Sequence, residues 1–251
     1  GLVGSEMCIR DRSTDLTFST YNDRWKERDP NWKPAAYQKE QDPIRGVFAY
    51  VADGLLQPGE EAPAHQPQLL PGQVKLKNIN GDDKLNEEDM VLIGRNDPKF
   101  IFGFNNNFSY KNFDLNIYMY GQVGKIAGAN SYYDAWGSYG NRIKLGQNVP
   151  VSFKDAWSSD NQTSTRPSFI ESAYGTGDLF LQKISFLRIR NITLGYTVPT
   201  SKSICNRLRV YADVNNPCVW TNWKGQDPET DSNTNAYPNV TSFSIGVDIS
   251  F

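Results

Sequence analysis

Histidine is almost missing from this chain, and cysteine is scarce. Among 251 residues there is one histidine, His65, in a proline-rich stretch. A histidine-based zinc site or catalytic triad is therefore not expected. The three cysteines are Cys8, Cys205 and Cys218. Residues 207–214 read as extended, which would set Cys205 and Cys218 roughly 40 Å apart at ~3.3 Å per residue. A disulfide needs Cα atoms within about 7 Å, so free thiols are expected. Charge of one sign is not in excess either. Lys and Arg total 26 against 28 Asp and Glu, a net −2, which gives a nucleic-acid partner no electrostatic support. No apolar run approaches the ~18 residues of a spanning helix. That excludes helical spans only, because a β-barrel strand is about half polar and looks soluble on hydropathy. The length allows one or two domains.

What is abundant is aromatic: 13 Tyr, 13 Phe and 6 Trp, which suits aromatic girdles or a sugar-binding surface. The clearest pattern closes the chain. In residues 243–251, Phe243, Ile245, Val247, Ile249 and Phe251 alternate with Ser244, Gly246, Asp248 and Ser250. Period two puts each set on its own face of a strand. Such a strand fits the edge of a sandwich or the closing strand of an outer-membrane barrel.

A hairpin precedes it. Phe100, Phe102, Phe104, Phe108 and Tyr110 share one face, Lys111 and Asn112 make a two-residue turn, and Phe113, Leu115, Ile117 and Met119 return. The turn length pairs Tyr110 with Phe113, Phe108 with Leu115 and Phe104 with Met119, with both apolar sets on one face. Asn106 opposite Ile117 is the one exception. Asn is expected to supply the positive φ of the turn. In residues 186–197 the alternation changes phase, because Leu187 and Ile189 are odd whereas Ile192, Leu194 and Tyr196 are even. A bulge near Arg190 and Asn191, or a strand whose upper end has left the membrane, is expected. Residues 207–215 form a further strand, and residues 14–25 read as one with an aromatic end. Pro58, Pro63, Pro67 and Pro71 keep residues 57–72 out of regular structure. Short links alternate with long ones, the asymmetry of short periplasmic turns and long extracellular loops. Residues 1–12 have no strand or helix period and resemble translated adaptor sequence. They are expected to be an artefactual leader.

Several stretches carry a resemblance when taken in order. They are Asn78-Ile-Asn-Gly-Asp-Asp-Lys-Leu on to Asp89; Ile93-Gly-Arg-Asn-Asp-Pro-Lys-Phe; Phe108-Ser-Tyr-Lys-Asn-Phe-Asp-Leu; Ser185-Phe-Leu-Arg-Ile-Arg-Asn-Ile-Thr-Leu-Gly-Tyr-Thr-Val-Pro199; Lys224-Gly-Gln-Asp-Pro-Glu229; and the terminal strand. Over residues 43–251 the chain resembles the carboxyl-terminal part of SusC/RagA-type TonB-dependent transporters of Bacteroidetes. The resemblance implies a barrel of about 22 strands with an amino-terminal plug. It also implies an outer-membrane location, a SusD-like surface lipoprotein as partner, and import of oligosaccharides or peptides driven by the TonB complex. Residues 13–251 would supply roughly the last six strands. No plug or TonB box is recognisable in them, so TonB would be reached through the missing amino-terminal region. The expected fold is all-β: an antiparallel meander forming a partial, open transmembrane barrel against outer-membrane lipid.

Chemistry is sparse. Residues 78–89, expected in an extracellular loop, have EF-hand-like spacing. Asn78, Asn80 and Asp82 fall at positions 1, 3 and 5, the Lys84 carbonyl at 7 and Asp89 at 12, a set that would hold Ca²⁺. Asn at position 1 and Asp83 in place of Gly at position 6 depart from that pattern. The plainer reading is a turn held by its own Asn and Asp side chains. No cofactor is required. Arg188, Arg190, Arg207 and Arg209 either line a lumen or pair with Asp213, Asp248 or neighbouring acids. The second is expected. Trp136, Trp157, Trp220 and Trp223 either stack on sugars or form an interface girdle and pack the loops. Asp227 and Glu229 are read as solvated, and no catalysis is assigned. Two other readings stay open: a secreted, calcium-stabilised carbohydrate-binding β-sandwich, and a surface glycosidase fragment. Facing separates the first from a barrel. In a barrel Phe102, Phe104, Leu115, Ile117, Val247 and Ile249 point outward and stay exposed, whereas in a sandwich they bury one another.

Overall fold

The computed structural model describes residues 10–127, 145–149, 151–169, 173–200, 205–230 and 236–251. Ten strands lie within them: β1 (Arg10–Ser19), β2 (Gly46–Ala49), β3 (Ala52–Leu55), β4 (Val74–Leu76), β5 (Val91–Arg95), β6 (Phe100–Tyr110), β7 (Phe113–Ala127), β8 (Gln182–Val198), β9 (Arg207–Thr221) and β10 (Ser242–Ser250). Six form one antiparallel sheet in the order β1-β6-β7-β8-β9-β10, and β2-β5 and β3-β4 make two-stranded pairs. The large sheet is open, with β1 and β10 at its edges.

Its register is the one the alternation demands. Tyr110 lies opposite Phe113, Phe108 opposite Leu115, Phe104 opposite Met119 and Asn106 opposite Ile117. Carried across the sheet, Leu16, Phe104, Met119, Ile189 and Cys218 form one row. Arg12, Phe108, Leu115, Leu194, Ala212 and Ile245 form another. The phase change in β8 is a bulge at Arg190. Tyr118 faces Asn191 and Met119 faces Ile189, so Arg190 is left out of the pairing. On the other side β9 skips Asn216 and Pro217 between Asn215 and Cys218. Asn216 takes φ +50 there, and a bulge is where a strand tolerates a proline. The bulge returns Leu187 and Ile189 to the face of Ile192, Leu194 and Tyr196.

That apolar face is not covered. On β10, Phe243 and Ile245 are 77% and 82% exposed. Val247 and Ile249 are exposed as well, and Phe102, Phe104, Leu115 and Ile117 are half-buried only. None of these six belongs to a buried cluster among the described residues. A sandwich would need a second sheet against them, and the other described sheets have two strands each. The sandwich reading is therefore overturned. Aromatic rings mark both ends of the face. Phe18, Phe100 and Phe102 cluster at one end, with centroids 5.4 and 6.3 Å apart. Phe113 and Tyr196 pack at 4.7 Å at the other. From Phe100 to Tyr110 the strand runs about 33 Å, and a tilt of about 40° makes that about 25 Å of height, the apolar band of an outer-membrane barrel.

The sequence reading differs from the structure in a few places. β1 begins at Arg10 and ends at Ser19, so residues 10–12, assigned to the leader, pair with Tyr110, Ser109 and Phe108. Residues 20–25 leave the sheet because Asp23 and Asn22 are drawn to Arg95. In the 111–112 turn the positive φ, +55, falls on Lys111 rather than Asn112.

The long connections gather at one end and have cores of their own. Leu55, Val74 and Leu76 pack with Tyr50, Trp157 and Leu179, which joins the stretch before β5 to the stretch before β8. Phe153, Ala156 and Phe180 form a second cluster. The proline-rich stretch holds no strand and is fixed through Gln66, fully buried, whose Oε1 accepts from the Leu76 amide at 2.7 Å.

Candidate functional site on the polar face

The face opposite the apolar one carries amides, hydroxyls and ion pairs. Asn116 donates to the Oδ1 atoms of Asn105 and Asn107 at 2.8 and 2.6 Å, joining β7 to β6. Asp213 on β9 accepts from Asn191, from Thr193 at 2.7 Å and from Asn215 at 2.7 Å. Among the described residues it pairs with no arginine; the arginines take Asp248 and neighbouring acids, the other partners expected. Arg209 instead reaches two strands away. Its Nη2 and Nε donate to Asp114 at 2.6 and 3.0 Å and its Nη1 to Asp248 at 3.1 Å. Gly195 permits this, because a Cβ there would lie 2.5 Å from both Arg209 Nη2 and Asp114 Oδ1. Gly195→Val is expected to break the Arg209–Asp114 fork, at a cost of about 1–3 kcal/mol. Urea unfolding in lipid vesicles would measure it, and Gly195→Ala should lose less.

The loop between β9 and β10 folds onto this face. Asp227 and Glu229, read from the sequence as solvated, are not. Asp227 is 3% exposed and Arg188 of β8 2%. The Arg188 guanidinium lies 2.7 Å from Asp227 and 2.8 Å from Glu229. The amides of Glu229 and Asn239 donate to Asp227 at 2.9 and 2.8 Å. Asn239 Nδ2 donates to Glu229 at 2.7 Å, and the Tyr120 hydroxyl of β7 also donates to Glu229. Arg190, released from the ladder by the bulge, donates to Asn216 and Asn239 at 3.0 and 3.1 Å. Below the cluster, Trp223 is buried with Ala127, Ile184 and Phe186. Burial pushes the Asp227 carboxyl up, but the two amides and Arg188 outweigh it and hold it below the usual range. Burial pushes Glu229 up.

This cluster fastens a loop to the sheet. Both carboxylates are spent on Arg188 and on amides, so neither presents an oxygen to a cleft, and the glycosidase reading loses its best pair. The pairing was legible only in part. An arginine on the inner face of a strand needs a partner, but nothing local says that the partner sits 39 residues on.

The 78–89 loop is a hydrogen-bonded turn. Asn78 Oδ1 accepts from the Gly81 amide at 2.7 Å, Asn80 Oδ1 from Asp82 at 3.0 Å and Asp82 Oδ1 from Lys84 at 2.8 Å. Asp89 is fully buried. One of its oxygens accepts from the Ile79 amide at 2.7 Å and the other from Asn86 at 3.0 Å. The left-handed residue is Gly81, φ +78, two positions before the one at which an EF-hand turns. These oxygens accept from the loop's own amides, the pattern of the plainer turn reading. Among the described residues no cluster of three or more His, Cys, Asp or Glu could hold a metal. Asp89→Ala would strand buried amides and is expected to cost about 2–4 kcal/mol locally. Faster amide exchange at Ile79 and Asn86 would report it.

The remaining candidates scatter. Trp220 stands outward, 52% exposed, in the row of Phe18, Phe102 and Leu187, a girdle position. Trp157 packs in a loop core. Trp136 lies outside the described residues. Cys205 and Cys218 are free thiols.

No protein-family model matches the chain. It is 28% identical over 236 residues to the TonB-dependent receptor P3 of Formosa agariphila, covering 85% of this chain and 23% of that one. It is 27% identical to the TonB-dependent receptor SusC of Bacteroides thetaiotaomicron over 180 residues, 68% of this chain and 17% of that one. The chain thus spans about a quarter or less of these relatives' length. Its fold matches a structure of the RagAB peptide transporter with a TM-score of 0.73 at 20% identity, over 96% of this chain and 27% of that one.

Proposed function

Over the stretch it covers, this chain is of the SusC/RagA type of TonB-dependent receptor, and from that premise we propose that it forms part of the wall of an outer-membrane importer. The cargo is an oligosaccharide or a peptide. A SusD-like surface lipoprotein receives it above the long loops, and the TonB complex supplies the energy. One observation carries the reading: a single sheet exposes an apolar face of membrane height, framed by aromatic rings, and puts its polar side chains on the other. Water penalises such a face and hydrocarbon does not. The loops at one end, with their own cores, supply a surface for cargo and lipoprotein.

The test uses the full-length gene in a Bacteroidetes host deleted for it, with and without TonB. Restoration of labelled oligosaccharide or peptide uptake, lost again without TonB, is the expected result. A receptor that reaches the outer membrane yet restores uptake of neither cargo overturns the proposal.

A further inference from the structure

A pocket of about 450 Å³ opens among the loops between β1 and β5. Its walls come from a strap, residues 20–45, and its floor from β2. The strap is anchored at its root. Asp23 pairs with Arg95 of β5 and accepts from the Ile44 amide at 3.1 Å, and Arg95 also donates to Asn22 at 2.9 Å. Beyond the anchor, the chain turns at Asp29, whose carbonyl accepts from Trp32 at 2.9 Å and whose carboxylate accepts from Asn31 at 2.7 Å. The turn stacks Trp32 on the Arg28 guanidinium at 3.8 Å, with Trp25 at 4.9 Å. Across the pocket Tyr37 packs on Phe48 of β2 at 4.9 Å.

Arg28 differs from three of the buried or partly buried arginines. Arg95, Arg188 and Arg209 are all paired with carboxylates. Arg28 has aromatic faces and no ion pair among the described residues, and its Nε is buried without a hydrogen-bond partner. Asp42 lines the same pocket but is engaged elsewhere, accepting from the Lys39 amide at 2.6 Å. Gln38 also lines it, with its Oε1 accepting from the Ala35 amide at 3.2 Å. A partly buried guanidinium stacked near two indoles, with no acceptor among the described residues, is a standing site for a planar anion.

We propose that this pocket binds the carboxylate of an acidic sugar, a uronic acid residue of an oligosaccharide, with Arg28 on the carboxylate and Trp32 and Tyr37 against the sugar ring. The aromatic walls favour a sugar over a peptide terminus. A pyranose presents a flat face of C–H bonds that an aromatic ring covers, while its rim of hydroxyls meets Asp42 Oδ1 and Gln38 Nε2, the atoms of those side chains that the Lys39 and Ala35 amides do not use. The proposal rests on the importer reading above and narrows its cargo.

Titration of the full-length receptor in detergent, followed by tryptophan fluorescence and calorimetry, tests it. The probes are tetramers of galacturonic, mannuronic and guluronic acid, a methyl-esterified galacturonate tetramer, and a tetrapeptide with a free carboxyl terminus. At least one acid tetramer should bind, more tightly than the neutral ester. Arg28→Met should weaken it about ten- to hundredfold and leave the ester unchanged. Trp32→Ala should weaken both. Gel mobility before and after heating verifies that each variant is folded. Equal binding of acid and ester, binding unchanged in Arg28→Met, no binding by any acid tetramer, or Arg28-dependent binding of the peptide alone overturns the assignment. Binding without uptake of any cargo leaves the pocket standing and removes the importer. Uptake indifferent to Arg28 does the reverse.

Discussion

Arg188→Ala is expected to release the loop between β9 and β10 from the inner face of the sheet. Arg188 and Asp227 are almost wholly buried, and Glu229 shares the guanidinium. Removing the cation leaves two carboxylates in a dry site, which costs about 3–5 kcal/mol. A tenfold change corresponds to about 1.4 kcal/mol, so tryptic cleavage after the exposed Lys224 should accelerate about a hundredfold or more. Replacing the three charges together, as Arg188→Met, Asp227→Leu and Glu229→Leu, should recover only part of the protection, because it removes the orphaned charges but leaves the Glu229 and Asn239 amides without their acceptor. Wild-type resistance in Arg188→Ala would end this account. Acid should act on the same loop. Asp227 is held below its usual range, so its contribution is complete above about pH 4 and is lost as the pH falls through the depressed value. Glu229, raised by burial, takes its proton first.

Ile192→Arg is expected to have the other large effect. Ile192 lies in the row of Ile117 and Val214, near mid-height of the apolar face. An arginine at mid-depth of a barrel's lipid face costs about 2–4 kcal/mol. Ser244→Arg, on the opposite face and beside Asp213, carries the same charge and should be nearly neutral. Reversible urea unfolding of the full-length barrel in lipid vesicles compares the two. Equal effects would mean that neither face meets lipid, and the apolar rows would need another explanation.

Alternation made β6 to β10 readable, and the bulge with them, because a side-chain period of two survives in any strand that separates two environments. β3, β4 and β5 are three to five residues long, too short to show a period. β3 and β4 exist because the loop core holds Leu55, Val74 and Leu76. The spacing at residues 78–89 left the direction of its oxygens open for a different reason. Spacing fixes which oxygens are near, but the backbone decides where they point, and Gly81 turns this loop early. The burial of Asp227 and Glu229 was invisible because it depends on Tyr120, Arg188 and Asn239 arriving from three other parts of the chain.

Arg190 lies out of the ladder facing the skipped pair Asn216 and Pro217. An alternating ribbon slid by two residues keeps every greasy group outside, so hydrophobicity alone leaves neighbouring staves free to assemble one notch too high or too low. Two interruptions that match at only one height remove that ambiguity. They act as a key between β8 and β9, and a mis-stacked wall would leave Arg190 on one side and Asn216 and Pro217 on the other with nowhere to go.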